Sequence, residues 1–294
     1  MSLEARRHAV AEAIERELAG LLPAIEGASA RLAAAMRHAV LGGGKRLRAL
    51  LVDLSGELFD VARAARLRVG AAVELLHAYS LVHDDLPAMD DAELRRGRPA
   101  CHRVFGEATA ILAGDALQSL AFEALAREDW PACAEIRCRL VAELAAAAGA
   151  LGMCGGQMMD LEAEHRALEE REIFELEQRK TGALIRFSAR AGPILAGAGE
   201  AERTALDRYA AALGVLFQIR DDLLDLLGSP EVIGKDAGRD RARGKATLVD
   251  LLGVEGAGRR MAELRREAEE ALGPFGERAL LLRQLVALIE SRSS

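Results

Sequence analysis

Aspartates are concentrated in two short segments of the chain. Four stand within eight residues of HDDLPAMDD (83–91), and three stand within five residues of DDLLD (221–225). Asp221 and Asp225 are four residues apart, which places them on one face of a helix about one turn from each other. Carboxylates so placed repel and burial would raise their pKa values, whereas a divalent cation such as Mg²⁺ removes the conflict. Either segment alone is typical of a solvated helix end, but two such segments, each after an apolar run, favour metal binding.

The first acidic segment has a different spacing. Asp84 and Asp90 are six residues apart, which on an ideal helix would point them about 120° away from each other. Pro87 disfavours a helical conformation at Leu86, so we expect the helix to end there in an irregular turn. Such a turn would bring Asp90 back toward Asp84.

Basic residues follow a glycine-rich turn. GGGKRLR (42–48) carries Lys45, Arg46 and Arg48. It is not a nucleotide-binding P-loop, because Ala39 and Arg46 stand where that pattern requires Gly and Ser or Thr. The turn could present backbone N–H groups and cations to a diphosphate at the start of a helix, or it could simply cap that helix.

Several single residues are further candidates for ligand contacts. His77 precedes Asp84 by seven residues, about two helical turns, so it either faces the same site or is an ordinary core histidine. Gln218 and Asp222 are four residues apart and share a face. Other cations stand near glycines or acids, where each is either a ligand or a surface charge: Arg95, Arg96, Lys180, Lys235 and Lys245.

The elements that position these residues are predicted to be helices. Hydrophobic residues make up 51% of the 294 residues and aromatic residues only 3%, so the core must consist of Ala, Leu and Val. That composition favours closely packed helices over sheets. Glycines at 42–44, 155–156 and 197–199 are predicted to separate helices. Because no linker or composition shift marks a boundary, we expect ten or more helices in one all-α domain, residues 1–294.

Composition also bears on partners and location. The net charge of −7 argues against a general attraction to nucleic acid or anionic membranes. The four cysteines lack metal-binding spacing, which predicts reduced and mostly buried thiols. The first residues resemble neither a signal nor a transit peptide, and no uninterrupted apolar run reaches the roughly 18 residues that span a membrane. We therefore expect a soluble cytoplasmic protein without nucleic-acid or membrane partners.

Several of these motifs, in this order, resemble the short-chain trans-isoprenyl diphosphate synthases. Members of that family carry GGKRxR, DDxxxxD followed by RRG, a Lys-Thr pair, QxxDDxxD and two late lysines that follow glycines. This chain has GGGKRLR, DDLPAMD with RRG, Lys180-Thr181, QIRDDLLD, and Gly-Lys pairs at 234–235 and 244–245. The match runs from about residue 40 to residue 253. Each motif alone is weak, but the ordered set is highly specific.

The resemblance implies a role for each matched residue. Mg²⁺, which Mn²⁺ could replace, would be held by six aspartates: Asp84, Asp85, Asp90, Asp221, Asp222 and Asp225. The allylic diphosphate would be bound by three cations, Arg95, Lys180 and Lys245, with Thr181, Gln218 and Lys235 nearby. The diphosphate of isopentenyl diphosphate would be bound by Lys45, Arg48, His77 and Arg96. The residues expected to be catalytic are Asp84, Asp85, Lys180, Asp221 and Lys245.

The resemblance also implies a fold and a reaction. The fold would be an antiparallel helical bundle of the isoprenoid synthase type around a deep central cavity, in a homodimer. The reaction would be the Mg²⁺-dependent head-to-tail (1′–4) condensation of isopentenyl diphosphate with dimethylallyl or geranyl diphosphate, through an allylic carbocation. A cavity walled by Ala, Leu and Val would exclude water and would hold no nucleophile to trap the cation.

Product length in this family depends on bulk at the fourth and fifth positions before the first acidic motif, here Ser80 and Tyr79. An aromatic fifth residue, with the insertion at Leu86-Pro87, resembles the bacterial farnesyl diphosphate synthases, so we expect a C15 product. The alternatives are a geranylgeranyl or geranyl diphosphate synthase, a class I terpene cyclase, and a non-catalytic helical partner subunit. The presence of GGGKRLR and of both acidic motifs argues against the last two.

Three positions depart from the family pattern. Ala92 stands where many relatives have a third acid or Asn, Ala100 replaces the usual Thr after RRGxP, and Arg220 precedes the second acidic motif. Ala100 should remove one hydrogen bond. Arg220 either points to solvent or pairs with one of the aspartates.

Overall fold

The computed structural model describes residues 2–163, 168–227 and 248–291, and the chain divides into two compact units, Met1–Val141 and Ala142–Ser294. In chain order the helices are α1 (Leu3–Leu21), α2 (Ala30–Val40), α3 (Leu47–Leu58), α4 (Arg63–Asp84), α5 (Cys101–Phe105), α6 (Glu107–Ala126), α7 (Ala134–Ala148), α8 (Met153–Ala163), α9 (Glu170–Glu177), α10 (Ala183–Leu195), α11 (Glu200–Leu227), α12 (Leu248–Ala271) and α13 (Leu280–Ser291). The predicted all-α class is confirmed. The prediction that residues 1–294 form one domain stays a prediction.

In the first unit, α4 packs against α3 and α6, and most of its middle is buried. Ala, Val and Leu dominate that middle, so neighbouring helices approach it closely. Gly70 marks one close approach, because a Cβ there would lie 2.9 Å from Ile14 Cδ1 and 3.2 Å from Ala49 Cβ. The polar C-terminal end of α4 therefore continues from a tightly packed apolar part of the same helix.

In the second unit, α11 packs against α10 and α12. Leu206, Tyr209, Leu213 and Leu216 recur at helical spacing and are fully buried. The Tyr209 hydroxyl donates to the Leu282 carbonyl oxygen across 3.0 Å, and burial raises the pKa of Tyr209. This packing holds α11 in place along the length that leads to the second acidic segment.

Two short connections depart from plain helix. Residues 94–95 (β1) and 98–99 (β2) pair as a small antiparallel hairpin, whose central residues Arg96 and Gly97 both have positive φ, as in a type I′ turn. Residues 178–182 form a π-helical turn between α9 and α10. π-helical turns are frequent at functional sites, and both connections carry residues that the sequence singles out.

The predicted glycine breaks are partly confirmed. Residues 42–44 separate α2 from α3, and residues 197–199 separate α10 from α11. The expectation for 155–156 is wrong, since both glycines lie inside α8. Gly156 serves a close approach instead, because a Cβ there would overlap the backbone nitrogen of Lys180.

The cysteines also differ from expectation. None of the four forms a disulfide, but only Cys101 is buried, while Cys133, Cys138 and Cys154 are exposed. The expectation of mostly buried thiols is therefore wrong. Burial and the nearby Asp85 carboxylate raise the pKa of Cys101 to about 11.

One helical stretch among the described residues, 134–163, is long and apolar enough to cross a membrane by length and composition, with mean hydropathy 1.3. It comprises α7 and α8, which a turn at residues 149–152 interrupts. The sequence-based expectation that no uninterrupted apolar run reaches about 18 residues still holds here, because Glu143 and Asp160 interrupt this stretch. The absence of a membrane partner stays a prediction.

Candidate active site

The first acidic segment folds into a tight turn at the end of α4. The Asp90 N–H donates to the Asp84 carbonyl oxygen across 2.7 Å, and the Ala92 N–H donates to the Asp85 carbonyl oxygen across 3.1 Å. These bonds satisfy carbonyl groups that the end of a helix leaves without partners. The Asp91 backbone adopts positive φ, 44°, which reverses the chain. The predicted return of Asp90 to Asp84 at Pro87 is confirmed.

Asp85 pairs with a basic residue of the hairpin. Its carboxylate is buried and forms a two-pronged ion pair with the Arg95 guanidinium, whose Nε lies 3.0 Å from Oδ1. Burial lowers the pKa of Arg95, but the Asp85 hydrogen bond and the charges of Asp84 and Asp90 outweigh it and raise the pKa. Asp85 would have to leave this pair to bind a metal, so its geometry favours a role in holding Arg95.

The glycine-rich turn separates its three cations. Arg46 points inward, where Nη2 lies 2.6 Å from the Val40 carbonyl oxygen and the guanidinium pairs with Glu15 and Glu74. It is therefore structural. Lys45 is exposed, and Arg48 lies in the first turn of α3 in a partly buried position.

Arg48, Arg96 and His77 share one positive neighbourhood. Burial lowers the pKa of His77 well below its ordinary value, and Arg48 and Arg96 lower it further. Burial and the charge of Arg46 likewise lower the pKa of Arg96. A place where neighbouring positive charges lower the pKa values of His77 and Arg96 is favourable for a bound anion.

Two residues expected to control product length lie on α4 between the basic group and the acidic turn. The Tyr79 ring packs edge-to-face on the His83 ring, with centroids 5.1 Å apart and planes at 80°. The Ser80 hydroxyl donates to the His77 carbonyl oxygen across 2.9 Å. The His83 ring in turn lies against Gly114 of α6, where a Cβ would overlap it. Sequence inspection missed both His83 and Gly114, and no spacing signal points to Gly114.

In the second unit, Lys180 lies on the π-helical turn. Its Nζ is 2.6 Å from Asp160 Oδ2 on α8, and this carboxylate is nearly buried. The close approach at Gly156 lets α8 reach the backbone of Lys180. Asp160 was not predicted as a site residue, although its position three residues after Gln157 places both on one face of α8.

Thr181 and the second acidic segment form a hydrogen-bonded series. The Thr181 hydroxyl donates to Gln218 Oε1 across 3.5 Å, and Gln218 Nε2 donates to Asp222 Oδ1 across 2.9 Å. Gly214 of α11 permits this proximity, since a Cβ there would lie 3.3 Å from the Gly182 Cα. The structure therefore brings the predicted residues of the π-helical turn and of α11 together.

Some predicted residues cannot be placed. Asp221 and Asp225 lie in the last turns of α11, but the side chain of Asp225 is outside the described part of the chain. Lys235 and Lys245 also lie outside the described residues. Of the departures from the family pattern, Ala92 and Ala100 are buried, and the Ala100 N–H donates to the Glu93 carbonyl oxygen across 2.9 Å.

The chain is similar in sequence and in structure to several known proteins. The polyprenyl synthetase family matches residues 29–277. The chain is 46% identical over 257 residues to the farnesyl diphosphate synthase of Escherichia coli K12, covering 87% of this chain and 86% of that protein. It is 45% identical over 247 residues to the chloroplastic geranylgeranyl pyrophosphate synthase 9 of Arabidopsis thaliana, covering 82% and 68%. A crystal structure of an FPP/GFPP synthase from Zymomonas mobilis matches with a TM-score of 0.90 at 43% identity, covering 98% of this chain and 99% of that one.

Proposed function

The chain belongs to the polyprenyl synthetase family, and we propose that it condenses isopentenyl diphosphate head to tail (1′–4) with dimethylallyl and geranyl diphosphate to give farnesyl diphosphate. The observation that carries this proposal is the arrangement of α4. Its last turn leads into the acidic turn that joins Asp84 to Asp90, and two turns earlier His77 lies among arginines. This helix thus runs from a basic group suited to a diphosphate, to which it contributes His77, to an acidic turn suited to a metal.

The donor set fits a hard divalent cation. Among the described residues no group of three or more His, Cys, Asp or Glu side chains is poised to enclose a metal. Two neighbouring carboxylates are instead what Mg²⁺ takes when substrate phosphates and water complete its shell. We propose that Asp84 and Asp90 bind Mg²⁺, with Mn²⁺ as a substitute, and that Asp221, Asp222 and Asp225 form the second acidic site. When bound, Mg²⁺ would neutralise charge on the diphosphate as the allylic C–O bond breaks.

The chain's own residues would orient and stabilise the reacting groups. Arg95, held by Asp85, and Lys180, held by Asp160, would present fixed positive charges to the departing diphosphate. Such preorganised charge lowers the barrier because the protein need not rearrange as the charge develops. Lys245 and Lys235 would add to this binding, and Thr181 and Gln218 would support it.

The second substrate would bind at the basic group. Lys45, Arg48, His77 and Arg96 would hold the diphosphate of isopentenyl diphosphate so that its double bond attacks the allylic cation. The adduct then loses a proton, which we propose the released diphosphate accepts. The Ala, Leu and Val side chains that dominate the helices carry no nucleophile that could trap the cation.

The product is the point at which relatives differ. Both a farnesyl and a geranylgeranyl synthase are similar to this chain over most of its length. The Tyr79 ring, braced by His83, supports a C15 product because it adds bulk one to two turns before Asp84. A geranylgeranyl or geranyl diphosphate synthase is the alternative within the family.

We further propose that the enzyme is a cytoplasmic homodimer. Ile111 and Leu112 on α6 are 43% and 57% exposed, and a second copy of the chain could cover such apolar side chains. Sedimentation equilibrium of the purified protein tests the dimer.

An elongation assay tests the function. Purified protein is incubated with Mg²⁺, isopentenyl diphosphate and either dimethylallyl or geranyl diphosphate, and the products are sized by chromatography. We expect a C15 product from both. Consumption of the allylic substrate alone would indicate a terpene cyclase, and absence of any turnover would indicate a partner subunit. Asp221→Ala should abolish elongation while leaving the helical circular dichroism unchanged.

A further inference from the structure

Arg98, at the start of β2, bonds the residues that lead into the glycine-rich turn. Its Nη1 donates to the Leu41 carbonyl oxygen across 2.9 Å, and its Nη2 lies 3.0 Å from His38 Nδ1. A Cβ on Gly42 would overlap this guanidinium. Gly42 therefore leaves the space that Arg98 fills.

His38 is held in the tautomer that this contact needs. Its Nε2 lies 2.9 Å from the Pro99 carbonyl oxygen, which can only accept, so Nε2 carries the proton. Nδ1 is then a bare acceptor for Arg98. The ring also packs edge-to-face on Phe105, with centroids 5.5 Å apart. The last turn of α2 and the hairpin are thus joined by hydrogen bonds in both directions.

The same hairpin makes two more arginine contacts. Arg96 donates to the Gly43 carbonyl oxygen across 2.6 Å, and Arg95 pairs with Asp85. The hairpin therefore connects residues 41–44 with the end of α4. A cavity lined by His38, Gly42 and Val82, among others, lies beside these contacts. Arginine side chains of the hairpin thus bond the chain at Leu41 and at Gly43.

The glycine-rich turn needs these hydrogen bonds because its backbone is costly to order. Gly42, Gly43 and Gly44 all have positive φ, and a run of glycines loses more backbone freedom on ordering than any other sequence. The residue that follows is Lys45, and α3 with Arg48 begins two residues later. Any looseness at 42–44 would therefore act first on Lys45, whereas Arg46, buried in its ion pairs, anchors the start of α3 and Arg48.

We propose that Arg98, with His38, is a positioning residue that holds the glycine-rich turn and thereby sets the affinity for isopentenyl diphosphate. The inference rests on the proposed function, which assigns Lys45 and Arg48 to that substrate. Arg98 acts through the backbone at Leu41 and not through its charge.

Steady-state kinetics with each substrate varied separately tests this role. Arg98→Ala should raise KM for isopentenyl diphosphate by roughly 5- to 10-fold, as expected for the loss of one or two hydrogen bonds, with a much smaller change in KM for geranyl diphosphate. Arg98→Lys should behave like the alanine variant, because an ammonium group cannot reach both acceptors as a guanidinium does. His38→Phe should give a rise in the same direction, and the double variant His38→Phe/Arg98→Ala should be no worse than Arg98→Ala, because the two residues act as a unit.

Arg103→Ala is the matched control, since Arg103 is exposed and pairs with Glu93 rather than with the glycine-rich turn. The KM values of this variant should equal those of the parent. Circular dichroism and thermal melting confirm that each variant is folded. An unchanged KM for isopentenyl diphosphate in folded Arg98→Ala, or full rescue by Arg98→Lys, would overturn the proposal. Equal rises in both KM values would do the same. If the parent itself neither binds isopentenyl diphosphate by calorimetry nor elongates, the proposed function fails instead.

Discussion

The Asp90 N–H donates a hydrogen bond to the carbonyl oxygen of Asp84 across 2.7 Å. This bond brings the backbones of two residues that stand six apart in sequence into direct contact. It closes the chain into a turn at the end of α4.

Asp84 and Asp90 are expected to be essential for activity. Asp84→Asn and Asp90→Asn each keep the size of the side chain but remove a negative charge, so turnover should fall about 100-fold or more. Asp91→Asn is the control, because Asn tolerates the positive φ of that position and Asp91 has no assigned role. Elongation rates at saturating Mg²⁺ check this. Parent-like rates in Asp84→Asn would contradict the metal-site proposal.

The pair between Arg95 and Asp85 is expected to matter for stability as well as for catalysis. Arg95→Ala would leave the Asp85 carboxylate, 3% exposed, without its cation, at a cost of about 3 kcal/mol in the free energy of unfolding. The pair of Arg103 with Glu93 is 50% and 72% exposed, so Arg103→Ala should cost no more than about 0.5 kcal/mol. Urea unfolding measures both. Equal losses would show that Asp85 is solvated.

His77 should make stability depend on pH in one direction. Burial and then Arg48 lower its folded pKa well below the ordinary value of 6.5. Between these two values the unfolded chain binds a proton that the folded chain does not. The free energy of unfolding of the parent therefore falls as the pH drops below about 6.5, by at most about 1.4 kcal/mol per pH unit from this group.

His77→Gln should remove this contribution. Urea unfolding at pH 7.5, 6.5 and 5.5 should show the parent losing more stability on acidification than the variant does. His8→Gln is the control, since His8 is 80% exposed, and it should follow the parent curve. Parallel curves for the parent and His77→Gln would rule out the depressed pKa.

Tyr79 is expected to limit product length. Tyr79→Ala removes the ring that packs on His83 and should shift products from C15 to C20 or longer. Tyr79→Phe keeps the ring and should keep the C15 product. Products are sized by chromatography after incubation with geranyl diphosphate and excess isopentenyl diphosphate. Unchanged product lengths in Tyr79→Ala would show that another residue limits elongation.

The thiols should react in two classes. Cys133, Cys138 and Cys154 are exposed, whereas burial and Asp85 raise the pKa of Cys101 to about 11. A thiol reagent at pH 8 should therefore label three cysteines quickly, and the fourth only after denaturation. Mass spectrometry of peptides identifies the unlabelled residue. Rapid labelling of Cys101 in the native protein would contradict its buried position.

The helical class, the helical position of Asp221 and Asp225, and the turn at Pro87 were correctly predicted from sequence, while metal binding by the two acidic segments stays a prediction. Each depends on interactions within a few residues: helical periodicity, the i and i+4 spacing, and the restriction that proline places on the residue before it. The order of the motifs along the chain was enough to identify the family.

The sequence did not predict which partner each charged side chain would bond. Arg46, Arg96 and Arg98 stand in similar basic segments, yet Arg46 is buried in ion pairs while the other two bind backbone carbonyl groups of residues 41–43. The neighbours of these arginines in sequence do not distinguish them, because the side chains that pair with them stand 28 to 60 positions away. The pairs of Asp85 with Arg95 and of Asp160 with Lys180 span 10 and 20 residues, which is also beyond the reach of helical spacing.

Local spacing in the amino-acid sequence therefore determines the helices, the reactive residue types and the family. Tertiary structure decides that Asp85 neutralises an arginine, and it determines where a glycine makes room for a guanidinium. The physical reason is that a charge takes its role from burial and from its nearest opposite charge, and packing between distant segments sets both.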